Sequence, residues 1–376
     1  MEHYLDNAAT TMVCPEAAEA ALAAMRIEYG NPSSTHTKGR EAAALLAKAR
    51  KQVSDALGCA PGELVFTSCG TESDNWALLE GAEAAHRRGG HVISSMAEHD
   101  AVRKSLELLE RRGYEVTRLK PGPDGSVSVG DVEAALRADT VLVSLMTVNN
   151  ETGGVTDIAG VARMLRSHDS RALLHTDAVQ AFMKLPFSAK TLGADLISVS
   201  GHKIHAPKGV GALYIRGGLK LRPFLVGGSQ EGGRRAGTEA LPQIAAFGAA
   251  AQAAAVGMEA NAARMAELKA LILSRLSADI PELVTIPGAA PHIVCVSLPG
   301  WRSEVLMNFL EAREIYVSKS SACKKGGRSH VLEAMGLSPR VTDGALRIGL
   351  SRYTTAEDAE ALCLALKEAH DTLAHR

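Results

Sequence analysis

What most constrains this chain is an alternation. Between residues 60 and 215, short runs rich in aliphatic and β-branched residues take turns with longer runs of helical period. Strands are expected over 64–67, 91–95, 140–146, 172–176, 195–200 and 211–215, and helices over 72–87, 101–112, 129–136 and 158–167. A parallel neighbour needs a crossover long enough to hold a helix, so the pattern predicts an α/β fold with a mostly parallel sheet covered on both faces. Residues 218–240, rich in Gly and Arg, read as an irregular loop, and the Ala-rich stretch 243–278 as one or two helices. After Pro281 the pattern becomes strand (293–297), helix (303–312), loop, helix (330–335) and helix (356–374), which predicts a second, smaller α+β domain.

Charge and composition remove several function classes. Lys and Arg number 41 against 42 acidic residues, with no basic run or tail, so nothing calls for direct nucleic-acid binding. No apolar stretch approaches the roughly 20 residues that span a bilayer. The start, Met1-Glu2-His3-Tyr4-Leu5-Asp6, lacks the pattern of a signal peptide, so a cytoplasmic protein off the membrane is expected. The six cysteines are scattered, which favours reduced thiols, and none has the spacing of a structural zinc site, so no metal is expected.

In open α/β sheets, ligands bind beyond the carboxyl ends of the strands. Five expected strands each lead into polar residues there: Ser68-Cys69-Gly70-Thr71-Glu72-Ser73, then Glu98-His99, Asn149-Asn150-Glu151, Asp177 with Gln180 one turn on, and His202-Lys203. Singly each has an ordinary explanation. Gly70-Thr71 reads as a helix cap, Asn149-Asn150 as a turn, Asp177 as a cap, and Lys203 as a solvated lysine. Together they supply what a pyridoxal-phosphate site requires. A lysine amine condenses with the cofactor aldehyde, a carboxylate keeps the pyridine nitrogen protonated, a flat side chain stacks on the ring, and a glycine-led helix start receives the phosphate. Ser200, His202 and Thr71 are the side chains expected to hold that phosphate.

In order and spacing the chain resembles the NifS-like cysteine desulfurases, among the class-V pyridoxal-phosphate-dependent aminotransferase family, nearly from end to end. The motifs include Tyr4-Leu5-Asp6-Asn7-Ala8-Ala9-Thr10-Thr11, Gly30-Asn31-Pro32-Ser33-Ser34, Thr71-Glu72-Ser73-Asp74-Asn75, Glu98-His99 and Asn149-Asn150-Glu151-Thr152-Gly153. They continue with Asp177-Ala178-Val179-Gln180, Ser200-Gly201-His202-Lys203, Arg235-Ala236-Gly237-Thr238-Glu239 and Ser320-Ser321-Ala322-Cys323. The resemblance implies a type I pyridoxal-phosphate transferase fold with a mostly parallel seven-stranded sheet. It also implies a large cofactor-binding domain over 12–255 and a small domain over 1–11 and 256–376 that carries a catalytic cysteine. Lys203 would be the Schiff-base lysine, Asp177 the partner of the pyridinium, and His99 the stacked, proton-shuttling ring. Gln180 would meet the 3′-oxygen, and Asn150 that oxygen and the substrate carboxylate. Gly70, Thr71, Ser200 and His202 would bind phosphate, and Thr238 the phosphate of a homodimer partner. Arg347 would clamp the carboxylate of L-cysteine; its ordinary reading is a surface arginine, and Arg352 is the competing candidate.

Residues 318–329 are small, polar and basic, and read as a mobile surface loop. Lys324 and Lys325 beside Cys323 favour its thiolate. By the resemblance, Cys323 takes sulfur from cysteine as a persulfide, alanine leaves, and the sulfur passes to an acceptor protein. The compact Cys323-Lys324-Lys325-Gly326 form resembles desulfurases that serve tRNA thiolation more than the form that feeds iron–sulfur scaffolds. Departures from the family pattern are Cys69 and Ala206 where Gly is usual and Ala240 where Asn is usual, with Cys69 expected to be a buried small residue. Alternatives are a selenocysteine lyase or aminotransferase on the same fold, and, from another class, a non-catalytic assembly subunit.

Overall fold

A computed structural model describes residues 2–85, 90–320 and 327–374. Its strands are β1 (His3–Tyr4), β2 (Leu64–Thr67), β3 (His91–Ser95), β4 (Glu115–Leu119), β5 (Thr140–Ser144), β6 (Leu173–Asp177), β7 (Leu196–Ser200), β8 (Gly211–Ile215), β9 (Val284–Ile286), β10 (Ile293–Ser297), β11 (Ile315–Tyr316), β12 (Ser318–Lys319) and β13 (Ala345–Gly349). Seven of them form one sheet in the order β2-β8-β7-β6-β5-β3-β4. Only β8 runs against its neighbours, so β2, β3, β5, β6 and β7 all end on the same edge.

Both faces of this sheet are buried, which is why its strands read as continuous apolar runs. Consecutive residues go to opposite cores: Val92, Leu142, Leu173 and Leu196 to one, Ile93, Val143, Leu174 and Ile197 to the other. The helix Gly70–Ala85 covers one face with Trp76 and Leu78, and Phe247, from the helix Leu241–Ala255, packs in the core on the other. Six of the seven strands were expected. The seventh, β4, was missed because it is an edge strand of sequence Glu-Val-Thr-Arg-Leu, pairing only with β3. Edge strands carry charge that discourages further pairing, which hides them from an apolar pattern. The Ala-rich stretch is two helices, Leu241–Ala255 and Met258–Asp279, parted at Gly257, whose φ of 72° suits glycine.

A second sheet, β12-β13-β10-β9, is antiparallel throughout. It has its own core, in which Val294, Val296, Leu346 and Ile348 meet Leu268, Leu306, Leu310, Leu362 and Leu366 from three helices. The N-terminus joins this part: β1 pairs with β11, and Asp6 bridges to Gly349. The expected loop over 318–329 opens as a strand, β12, followed by buried Ser320; Cys323, with the rest of 321–326, lies outside the described residues. Among the described residues no single helix is long and apolar enough to cross a membrane.

Candidate active site

The shared edge of the sheet faces the second sheet, and between them lies a cavity of about 300 Å³. Ten sequence-expected residues line it: Gly70, Thr71, His99, Asn150, Asp177, Gln180, Ser200, His202, Lys203 and Arg347. The first nine lie at or just beyond the ends of β2, β3, β5, β6 and β7; Arg347 comes across the cleft from β13. Thr238 is exposed and does not border this chain's cavity.

Each side chain is held by its local structure. Lys203, in the turn after β7, donates to the carbonyls of Ala8 and Ala9 at 2.9 and 2.6 Å, so the N-terminal segment forms a wall of the pocket. Gln180 donates from Nε2 to Ala8 O at 2.8 Å. His99 caps the helix Asp100–Arg111, its Nδ1 accepting from Ala101 N–H at 3.2 Å. A nitrogen that accepts carries no proton, so in neutral His99 the proton sits on Nε2. Asp177 accepts from Val179 N–H at 2.9 Å. Burial pushes the Asp177 carboxyl up, while His99, that N–H and Lys203 pull it down. His202 Nδ1 meets Thr10 Oγ1 at 3.2 Å, and burial together with Lys203, Lys208 and Lys184 lowers its pKa to about 4.

Arg347 is 2% exposed, not a surface residue. Its guanidinium donates to Asn150 O at 3.0 Å and Asp6 Oδ1 at 3.2 Å, while Nε is buried without a partner. Arg352, the competitor, does not border this cavity.

The pocket also recruits residues that the sequence reading quoted but gave no role. These are Asp74 and Glu151; Arg103, Arg328 and His330, which that reading did not name, line it as well. Glu151 accepts from Ser329 Oγ, and burial raises its pKa to about 7. Glu98 lies behind His99, takes hydrogen bonds from Ser95 Oγ and Met146 N–H, and is pushed up to about 8, chiefly by burial. For Asp74 a signal was present: it follows Gly70 by four residues on a helix, and so shares its face. Glu151 and Ser329 lie 178 residues apart, and nothing local links them. Cys69 is half-buried on the cavity wall, not fully buried as expected.

Two observations test whether pyridoxal phosphate fits. Ser200 Oγ is buried without a hydrogen-bond partner, although buried hydroxyls are ordinarily bonded, so an acceptor belongs there. A Cβ on Gly70 would stand 2.8 Å from Val179 Cγ2 and 3.6 Å from Ser200 Cβ, so only glycine leaves that space open beside Ser200. The amine of Lys203 and the buried carboxyl of Asp177 border the same cavity. The residues fit the cofactor.

Comparison with known proteins agrees. Residues 3–362 match the model of the family described as "Aminotransferase class-V". A cysteine desulfurase of Trichormus azollae is 41% identical over 94% of this chain and 88% of its own length. The cysteine desulfurase IscS of Methanosarcina thermophila is 40% identical over 95% of this chain and 89% of its own. A solved structure of a NifS-like protein superposes with a TM-score of 0.93 at 37% identity, covering 99% of this chain and 100% of that one.

Proposed function

The chain belongs to the class-V aminotransferase family and is a pyridoxal-phosphate-dependent cysteine desulfurase; on that premise we propose how its residues divide the work. Lys203 would hold the cofactor covalently, Asp177 would meet its ring nitrogen, His99 would stack on its face and Gln180 would reach its 3′-oxygen. Gly70, Thr71, Ser200 and His202 would hold its phosphate. When bound, pyridoxal phosphate supplies the electron-accepting ring that lets the Cα of an amino acid give up a proton.

Arg347 and Asn150 orient the carboxylate of cysteine, and Lys203 removes and later returns the proton at Cα. The Cys323 thiolate bonds to the substrate sulfur as the Cβ–S bond breaks with its electron pair left on the carbon side, and Cβ takes up the proton given up by the thiol, so that cysteine plus a thiol become alanine plus a persulfide. Arg328 and His330, which follow 321–326 in the chain, both border the pocket, and this supports the assignment of the sulfur-accepting role to Cys323. The observation that carries the reading is the convergence of Lys203, Asp177, His99 and orphaned Ser200 at one sheet edge, facing buried Arg347.

The division into 12–255 and 1–11 with 256–376 is supported by the two sheets and their separate cores. The same reading includes a homodimer, with Thr238 reaching the partner's cofactor phosphate, and cytoplasmic residence. The persulfide sulfur goes to an acceptor protein, and the compact Cys323-to-His330 spacing favours a tRNA-thiolating enzyme over an iron–sulfur scaffold.

Incubation with cysteine without reductant tests the assignment. One added sulfur is expected on the peptide holding Cys323, with alanine released. A keto acid that keeps the sulfur, in place of alanine and persulfide, would indicate an aminotransferase, and turnover confined to selenocysteine a lyase for that substrate. A protein that stays colourless with added pyridoxal phosphate would be a non-catalytic subunit. Transfer to an iron–sulfur scaffold but not to a tRNA-thiolating enzyme would overturn the acceptor assignment.

A further inference from the structure

Asp74 is a second buried aspartate in the pocket, with no part in the reaction as described above. It lies one helical turn beyond Gly70, is 1% exposed, and borders the same cavity as Asp177. The groups that act on it most strongly are Asp177 from the end of β6, Ser198 from β7, which stands opposite Asp177 in the sheet register, Glu98 from the turn after β3, and Cys69 from the residue before its own helix; His175, two residues before Asp177 on the same face of β6, lies beside it. None is a lysine or an arginine. His175 Nε2 lies 3.6 Å from Asp74 Oδ1, beyond hydrogen-bond reach, and is 3.0 Å from Ser198 Oγ; Nδ1 is 2.8 Å from Ser144 Oγ. Burial holds this imidazole near a pKa of 3, so it brings no positive charge. Asp74 Oδ1 is shut off from solvent without a hydrogen-bond partner.

Two neighbouring carboxyls in such a place do not both ionise; the pair keeps a proton. Their surroundings decide which one carries it. Asp177 has the Val179 N–H at 2.9 Å, and the charges of His99 and Lys203 favour its anion. Asp74 has the Ser198 hydroxyl alone on that side of the balance; its burial, Asp177, Glu98 and Cys69 all act against its anion.

We propose that Asp74 is a positioning residue that carries the proton of the Asp74–Asp177 pair, so that Asp177 stands as the single anion beneath the cofactor ring. The proposal rests on the cofactor assignment above and adds the means by which the charge is concentrated on one carboxyl. A second carboxylate at Asp74 would split the field that the ring nitrogen meets.

The test uses protein labelled with ¹³C at its aspartate carboxyls, which separates these groups from Glu98 and Glu151. Carboxyl resonances are followed with pH, with and without pyridoxal phosphate. One aspartate is expected to remain protonated at neutral pH, and its signal to vanish in Asp74→Asn. Because an amide reproduces a neutral acid, Asp74→Asn is expected to bind pyridoxal phosphate within about threefold of the parent. Aspartates all ionised at neutral pH, a protonated signal surviving Asp74→Asn, or a more than tenfold loss of cofactor affinity in that variant would each overturn the proposal. If Asp74→Asn does not fold, Ser198→Ala assigns the signal, since loss of the hydroxyl moves the Asp74 titration to higher pH. An unmoved titration overturns the proposal. A parent that makes no alanine from cysteine would overturn the desulfurase reading and leave the carboxyl result standing.

Discussion

Glu151 and Ser329 are joined by a buried hydrogen bond of 2.5 Å between Ser329 Oγ and Glu151 Oε2. Ser329 also caps the helix His330–Ala334, its Oγ accepting from Leu332 N–H at 3.1 Å. One hydroxyl therefore ties the turn after β5 to the point where the chain returns from 321–326. Ser329→Ala removes the cap and leaves Glu151 buried without its donor. A loss of about 1–3 kcal/mol is expected in urea unfolding, from the cap and the unsatisfied carboxyl together.

Ser200 leads to the opposite expectation for stability. Its Oγ has no protein partner, so Ser200→Ala removes an unsatisfied buried group. The cofactor-free protein should be as stable as the parent or more so, while affinity for pyridoxal phosphate falls about tenfold, the worth of one charge-assisted hydrogen bond. Thermal unfolding of the cofactor-free form and a cofactor titration measure the two effects separately.

Arg347→Lys should raise KM for cysteine at least tenfold, with cofactor binding little changed. Lysine cannot present the planar fork that suits a carboxylate, and its single ammonium nitrogen cannot stand where both Nη1 and Nη2 of Arg347 now reach Asn150 O and Asp6. Steady-state alanine formation across cysteine concentrations checks the split between KM and kcat.

Stability should depend on pH in opposite senses on two sides of neutrality. Glu98 and Glu151 have folded pKa values raised to about 8 and about 7 from 4.5, so their contribution is full at acid pH and is lost as pH rises through those values. His175 and His205 are lowered to about 3 and about 4 from 6.5, so theirs is present above 6.5 and lost as pH falls toward those values. Glu98→Gln should therefore gain stability relative to the parent at pH 9 and show a smaller difference at pH 5. Melting temperatures at the two pH values decide it.

Lys203→Ala should retain pyridoxal phosphate only by non-covalent contacts. Gel filtration should then strip the colour that the parent keeps, and alanine formation should cease. Retained colour after denaturation would place the covalent attachment on another residue.

Much of this site was legible before the fold was known, because it is built from strand ends. Gly70, His99, Asn150 and Lys203 follow the ends of β2, β3, β5 and β7 by three to six residues, and Asp177 ends β6. In a parallel sheet those ends meet. Residues that come from elsewhere were harder to read. Arg347 lies within β13, which was not expected as a strand, and its burial depends on Asp6 and Asn150 closing around it. On its own, Leu-Arg-Ile-Gly does not distinguish a clamped guanidinium from a solvated one.

The sequence by itself determined the period of each element, the order of polar residues at the strand ends and the family resemblance those motifs carry. Tertiary structure alone decided which distant groups touch. The pairing of Glu151 with Ser329, the N-terminal carbonyls under Lys203, and Asp74 and Asp177 brought to one cavity all depend on it. Local patterns are fixed by backbone geometry over a few residues, whereas burial and charge pairing depend on everything that packs against a side chain. Asp74, Asp177 and Glu98 are carboxyls of one kind along the chain, and only their neighbours in space make their proton affinities differ.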